Sequence, residues 1–169
     1  MFVHYGIKPT QEKPGSDQLN QLNLTLPVLG DLSVENLPPR DSLHKKTGSF
    51  HLWENDAFLL GFTKTRIERA SVNQTAQAIY REIFELTKGA FLYRVWNYLP
   101  ELNSGEGDQE QYKQFCEGRS NAFHEAFGEE NLEFMPAGSC VGIDGDELVI
   151  YFLAGSKCPD HHENSHHPE

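Results

Sequence analysis

Residues 92–127, LYRVWNYLPELNSGEGDQEQYKQFCEGRSNAFHEAF, decide how the chain is read. The run Ala90 to Tyr98 is apolar and aromatic on both alternating faces, the composition of a strand covered on each side. Alternation puts Leu92, Arg94, Trp96 and Tyr98 on one face and Phe91, Tyr93, Val95 and Asn97 on the other. Pro100 closes the strand, and residues 103–108 (NSGEGD) form a loop into a helix from Asp108 to Phe127, stopped by Gly128. Within that helix Tyr112, Phe115, Cys116, Phe123, Ala126 and Phe127 recur at three- and four-residue steps. At about 100° per residue they fall within roughly 60° either side of one line, and Arg119 lies about 20° from it. A guanidinium at the centre of an apolar stripe is costly unless something meets its charge.

Upstream, Ser71 to Lys88 has the period of an amphipathic helix, with Val72, Ala76, Ile79, Tyr80, Ile83, Leu86 and Thr87 on one stripe. Ser71 is its N-cap candidate and Gly89 its stop. Ser49–Trp53 and Ala57–Thr65 read as a hairpin turning at Glu54-Asn55-Asp56. Downstream, Ser139–Ile143 and Glu147–Leu153 flank Asp144-Gly145-Asp146, which reads as a second hairpin. Residues 1–48 are rich in Pro, Gly, Asn and Asp and form an irregular segment with short strands, at Phe2–Ile7 and Leu22–Leu29. Residues 49–155 form the domain, and 156–169 a polar, His-rich, solvated tail. Strands, hairpin, helix, strand, helix and hairpin in that order give an α+β fold, two helices packed on one face of a mixed β-sheet.

The composition bounds function. With 14 Lys+Arg against 25 Asp+Glu the net charge is −11, which argues against nucleic acid or an anionic membrane surface as partner. No apolar run approaches a membrane span, and the N-terminus lacks a secretion-signal pattern. Three cysteines, Cys116, Cys140 and Cys158, with no CxxC pair, give no disulfide framework and fit a reduced, cytoplasmic compartment.

Arg119 has two readings, a buried salt bridge or a fork for a carboxylate or phosphate. Arg94, between Leu92 and Trp96 on its strand face, has the same two. Tyr98 and Tyr112 flank the loop and either pack or donate phenolic hydrogen bonds to such an anion. Cys116 lies on the buried face one turn before Arg119, where a cysteine is more often inert than a nucleophile. His161, His162, His166 and His167 read as a solvated tail rather than a metal site. Asp144-Gly145-Asp146-Glu147 lacks the calcium-loop spacing. No metal site, no Gly-rich phosphate loop, no HExxH and no GxSxG is present.

Tyr93-Arg94-Val95-Trp96-Asn97-Tyr98-Leu99-Pro100, followed by Tyr112-Lys113-Gln114-Phe115-Cys116-Glu117-Gly118-Arg119, closely resembles the chorismatase family. That family carries a similar WNY(I/L)P…N…YxxFCxGR signature and is also labelled pteridine-dependent deoxygenase-like. Pro136-Ala137, residues 148–154 (LVIYFLA) and Glu163-Asn164 extend the resemblance, which covers roughly residues 48 to 165. It implies hydrolysis of chorismate to pyruvate and a dihydroxycyclohexadiene- or hydroxybenzoate-type product, in secondary metabolism. It also implies halves of YjgF/chorismate-mutase-like fold, a small anionic substrate and no cofactor. Matching the signature residue by residue implies substrate contact for Tyr98, Tyr112 and Arg119, with Arg94 and Cys116 as weaker lining candidates.

The chain departs from the family pattern in stopping where a second half would follow, the half that supplies the catalytic glutamate. The general acid therefore has no assignment here. The expectation is an N-terminal half, inactive alone, that completes its site with a C-terminal half or in a homo-oligomer. A noncatalytic YjgF-like ligand-binding or oligomerisation module is the alternative. An imine-hydrolysing deaminase of that fold is weaker, because no arginine has the context that chemistry requires.

Overall fold

A computed structural model of the chain describes residues 2–5, 21–24, 34–36, 42–128 and 135–159. The expectations for Glu163-Asn164 and for the histidines of the tail lie outside these residues. Three short strands come first: β1 (Phe2–Tyr5), β2 (Gln21–Leu24) and β3 (Val34–Asn36), in the order β2-β1-β3. The main sheet has six strands, β4 (Leu43–Thr47), β5 (Phe50–Glu54), β6 (Phe58–Arg66), β7 (Phe91–Pro100), β8 (Ala137–Ile143) and β9 (Glu147–Gly155). Their order is β4-β5-β6-β9-β7-β8, and only the β7–β8 pair is parallel. Helices α1 (Val72–Leu86) and α2 (Gln111–Phe127) pack on one face. This is the α+β arrangement expected from the order of elements.

The core between helices and sheet follows from the period of each element. Val72, Ala76, Ile79, Tyr80 and Ile83 line the buried stripe of α1, as the sequence predicts. They meet Phe50, Leu52, Val95, Leu99, Leu148, Ile150, Phe152 and Ala154 on the sheet. A second cluster, Trp53, Leu60, Tyr98, Val149 and Tyr151, belongs to the opposite face. Among the described residues no helix is long and apolar enough to cross a membrane.

Local expectations are corrected in four places. Ser71 precedes α1 but does not cap it, because its hydroxyl donates backwards to the Glu68 carbonyl at 3.0 Å. Gly89, at φ 81°, follows the helix end as expected.

The second correction concerns Asp144-Gly145-Asp146, which does not close a hairpin. β7 lies between β8 and β9 and pairs with both, so the turn spans two inter-strand spacings, about 10 Å. A strand apolar on both faces is driven to the middle of the sheet, and here that tendency overrides the local turn signal.

Third, the parity of β7 changes at Tyr93. Register passes from Leu92 opposite Ala154 to Arg94 opposite Leu153, leaving Tyr93 as the extra residue of a bulge. Leu92 therefore packs on the helix side with Val95 rather than sharing a face with Arg94, Trp96 and Tyr98.

The fourth is the rotation of α2. Its buried side is Gln111, Phe115, Gly118 and Ala122, with Phe123 beside it. At about 100° per residue the mean direction of these five lies roughly 75° from the line drawn through Tyr112, with Phe123 alone on the far side of that line. Tyr112 and Phe127 are exposed. The cause is Gly118, where an added Cβ would come 2.1 Å from the Asn73 carbonyl oxygen of α1. Small residues let the two helix backbones meet, and a search for large apolar side chains passes over them.

Candidate functional site

The rotation of α2 places Arg119 on the helix flank, half-buried, above the edge of the sheet. Its guanidinium carbon lies 5.8 Å from the Tyr80 ring centroid and 5.5 Å from that of Phe123. A Cβ on Gly138 of the edge strand would come within 3.6 Å of its Nη2. Among the described residues Arg119 has no ion pair, and its buried Nε has no hydrogen-bond partner. Two aromatic faces offset part of the charge. They supply no acceptor for the guanidinium hydrogens, so the salt-bridge reading of Arg119 has no partner among the described residues.

Below it a chain of hydrogen bonds joins three elements. Tyr80 donates to Asn97 Oδ1 at 2.9 Å, and Asn97 Nδ2 donates to the Ser139 carbonyl at 2.8 Å, tying α1, β7 and β8 together. Burial raises the Tyr80 hydroxyl well above its ordinary value, so it stays a neutral donor. Cys140, directly opposite Asn97 in the β7–β8 register, is pushed up to about 12, first by burial and then by the Cys116 thiol. On the solvent side of the same flank Tyr112 is raised, chiefly by its hydrogen bond with Cys116.

Of the five residues singled out in the sequence, Tyr112, Cys116 and Arg119 are brought together along one flank of α2. Tyr98 and Arg94 are not. Both belong to the sheet face opposite the helices, since Trp96, Tyr98 and, past the bulge, Arg94 share one parity. The Tyr98 hydroxyl lies 3.1 Å from that of Tyr151 and is buried. Arg94 is exposed, its guanidinium carbon 5.0 Å from the Trp96 ring centroid. Its strand position reads as buried only until the sheet face that carries no helix is known.

Tyr80, Asn97, Phe123 and Cys140 complete the surroundings of Arg119, and sequence reading did not assign them to it. Asn97 is the one with a signal, a polar residue inside an otherwise apolar strand.

A cleft of about 440 Å³ opens at the carboxyl ends of β7 and β8, between residues 101–104 and 142–144. It carries Glu101 and Asp144, and the Arg69 guanidinium nearby is paired with Glu101 at 2.6 Å. That charge is the wrong sign for an anionic ligand. Among the described residues no group of three or more His, Cys, Asp or Glu could hold a metal ion.

The thiols give a direct check on these environments. Cys158 is exposed, whereas Cys140 is held protonated. With an aromatic disulfide reagent at pH 8, Cys158 is expected to react first and Cys140 to lag by roughly a hundredfold or more, following its thiolate fraction. Equal rates at the two positions would contradict the packing of β8 against α2.

The model of the chorismatase FkbO/Hyg5-like N-terminal family matches residues 38–154. A 3-hydroxybenzoate synthase of Streptomyces hygroscopicus is 31% identical over 87 residues, which are 48% of this chain and 24% of the synthase. A chorismatase crystal structure at 1.08 Å resolution superposes with a TM-score of 0.69 and 23% identity, covering 94% of this chain and 48% of that one. The chain thus spans about half the length of that chorismatase, and the likeness to it is one of fold.

Proposed function

Because this chain belongs to the FkbO/Hyg5-like chorismatase N-terminal family, we propose that it is the N-terminal domain of an enzyme hydrolysing chorismate to pyruvate and a dihydroxycyclohexadiene- or hydroxybenzoate-type product. Its part is to bind a substrate carboxylate. The observation that carries this is Arg119, a half-buried guanidinium with no ion pair among the described residues, whose Nε lacks an acceptor. A planar fork of donors with a nitrogen left without an acceptor suits a carboxylate. Tyr112 stands about two helical turns away on the same flank, placed to donate to a bound anion once its thiol contact yields. Cys116 lines the wall. Tyr98 and Arg94 lie across the sheet and have no part in this subsite. The folding unit proposed for the role extends the expected 49–155 domain back to Leu43, since β4 pairs with β5 along its whole length.

A general acid must stand within hydrogen-bond reach of the atom it protonates. Among the described residues no carboxylate pairs with Arg119. The exposed Arg69–Glu101 and Arg81–Glu125 pairs hold two carboxylates elsewhere, and Glu101 and Asp144 face the cleft. The acid is therefore assigned to a second half, as the 3-hydroxybenzoate synthase match over a quarter of that protein also suggests.

The test couples binding to turnover. Chorismate added to the chain alone is expected to bind without steady release of pyruvate, followed by a coupled lactate-dehydrogenase assay. Sustained pyruvate release would overturn the need for a second half and place the acid on this chain. A noncatalytic ligand-binding module would also bind without turnover. Adding the complementary half separates the two readings, because only a half-enzyme gains activity.

A further inference from the structure

The β4–β5 hairpin brings two imidazoles together on the sheet face away from the helices. His44 is directly opposite Trp53 and Lys46 directly opposite His51, so the two histidines are diagonal neighbours on one face. His44 Nε2 and His51 Nδ1 are 3.3 Å apart, with ring centroids 5.5 Å apart and planes 6° from parallel. The centroid separation exceeds the nitrogen separation by about two ring radii. The nitrogens therefore meet edge to edge, and which of them carries a proton depends on the tautomers of the two rings.

Both rings are braced from the side. His44 lies 4.8 Å from the Trp53 ring, and His51 lies 6.3 Å from Phe62 and 6.4 Å from Trp53. Two nitrogens bound at about 2.0–2.1 Å to one tetrahedral ion are separated by about 3.3–3.4 Å, the spacing already present here.

We propose that His44 and His51 form a two-imidazole site for a divalent transition-metal ion of zinc type. The ion takes the place between the two nitrogens, binding His44 Nε2 and His51 Nδ1 in the tautomers that carry the ring proton on the other nitrogen, after each ring tilts by about 35° to give a tetrahedral angle. Solvent completes the coordination, since no third ligating side chain joins the pair among the described residues. On this face Lys46 is the charged neighbour, opposite His51, and it lowers affinity for any cation. Lys45 and Glu54, paired at 2.5 Å, alternate to the other face. The site is on the opposite sheet face from Arg119 and is independent of the carboxylate reading.

The tail histidines would bind the same ion, so the test starts from a chain carrying H161A, H162A, H166A and H167A. Zinc is titrated calorimetrically into that background and into the same background with H44A or H51A. One ion per chain is expected in the background, with affinity falling roughly tenfold or more when either imidazole is removed. H44Q and H51Q repeat the measurement with a polar side chain if an alanine variant does not fold. The ring resonances of both histidines should shift together at one equivalent of zinc. Unchanged affinity in both variants, or no binding at millimolar zinc, would overturn the proposal.

Discussion

Replacing Gly118 by alanine is expected to lower the unfolding free energy by about 2–3 kcal/mol, although alanine is the better helix former by about 1 kcal/mol. The new Cβ would stand 2.1 Å from the Asn73 carbonyl oxygen and 2.8 Å from its carbon. Both are backbone atoms of α1, so no side-chain rotation relieves the contact and the helices must separate. Separation in turn loosens Phe115 and Ala122, which are buried along the same line. Chemical denaturation of the variant beside the parent reads the loss directly. A gain in stability of the size alanine gives in an isolated helix would mean that α1 and α2 do not pack through this glycine.

The second large effect separates function from stability at a single residue. Arg119→Met is expected to weaken chorismate binding by about 10- to 100-fold, the equivalent of a charge-assisted hydrogen bond of about 1.5–3 kcal/mol. The same substitution should leave the fold as stable or make it more so. It removes a half-buried charge whose Nε has no acceptor and leaves an apolar chain against the Tyr80 and Phe123 rings. A purely structural arginine would give the reverse, lower stability and unchanged affinity. Arg94→Ala is the control, and affinity should not move, because Arg94 is exposed on the other side of the sheet.

Much of this was legible in residues 92–127. Strand β7, the loop and α2 lie close to where the apolar periods put them, and Arg119 stands out from sequence alone. The direction in which it points does not. Helical period locates a stripe of large apolar residues, but the packing line of α2 runs through Gly118 and Ala122, and no hydrophobic pattern weights a glycine. Tyr112 and Phe127, which such a pattern counts as core, are exposed for that reason.

Tyr98 and Arg94 show a different limit. Strand alternation assigns parity, and they do share a face, but parity does not say which face receives the helices. The bulge at Tyr93 also detaches Leu92 from that set. The Asp-Gly turn misleads because turn chemistry is local, whereas the place of β7 between β8 and β9 depends on the whole sheet. The neighbours of Arg119 come from α1, β7 and β8, three elements that only the fold brings together.

The most direct measurement is a crystal structure of the chain soaked with chorismate. The expected result is a carboxylate within about 3 Å of the Arg119 guanidinium, beside Gly138 and under Tyr112, on the helix-covered side of the sheet. Chorismate bound instead at Arg94 and Tyr98, with the Arg119 guanidinium untouched, would contradict it.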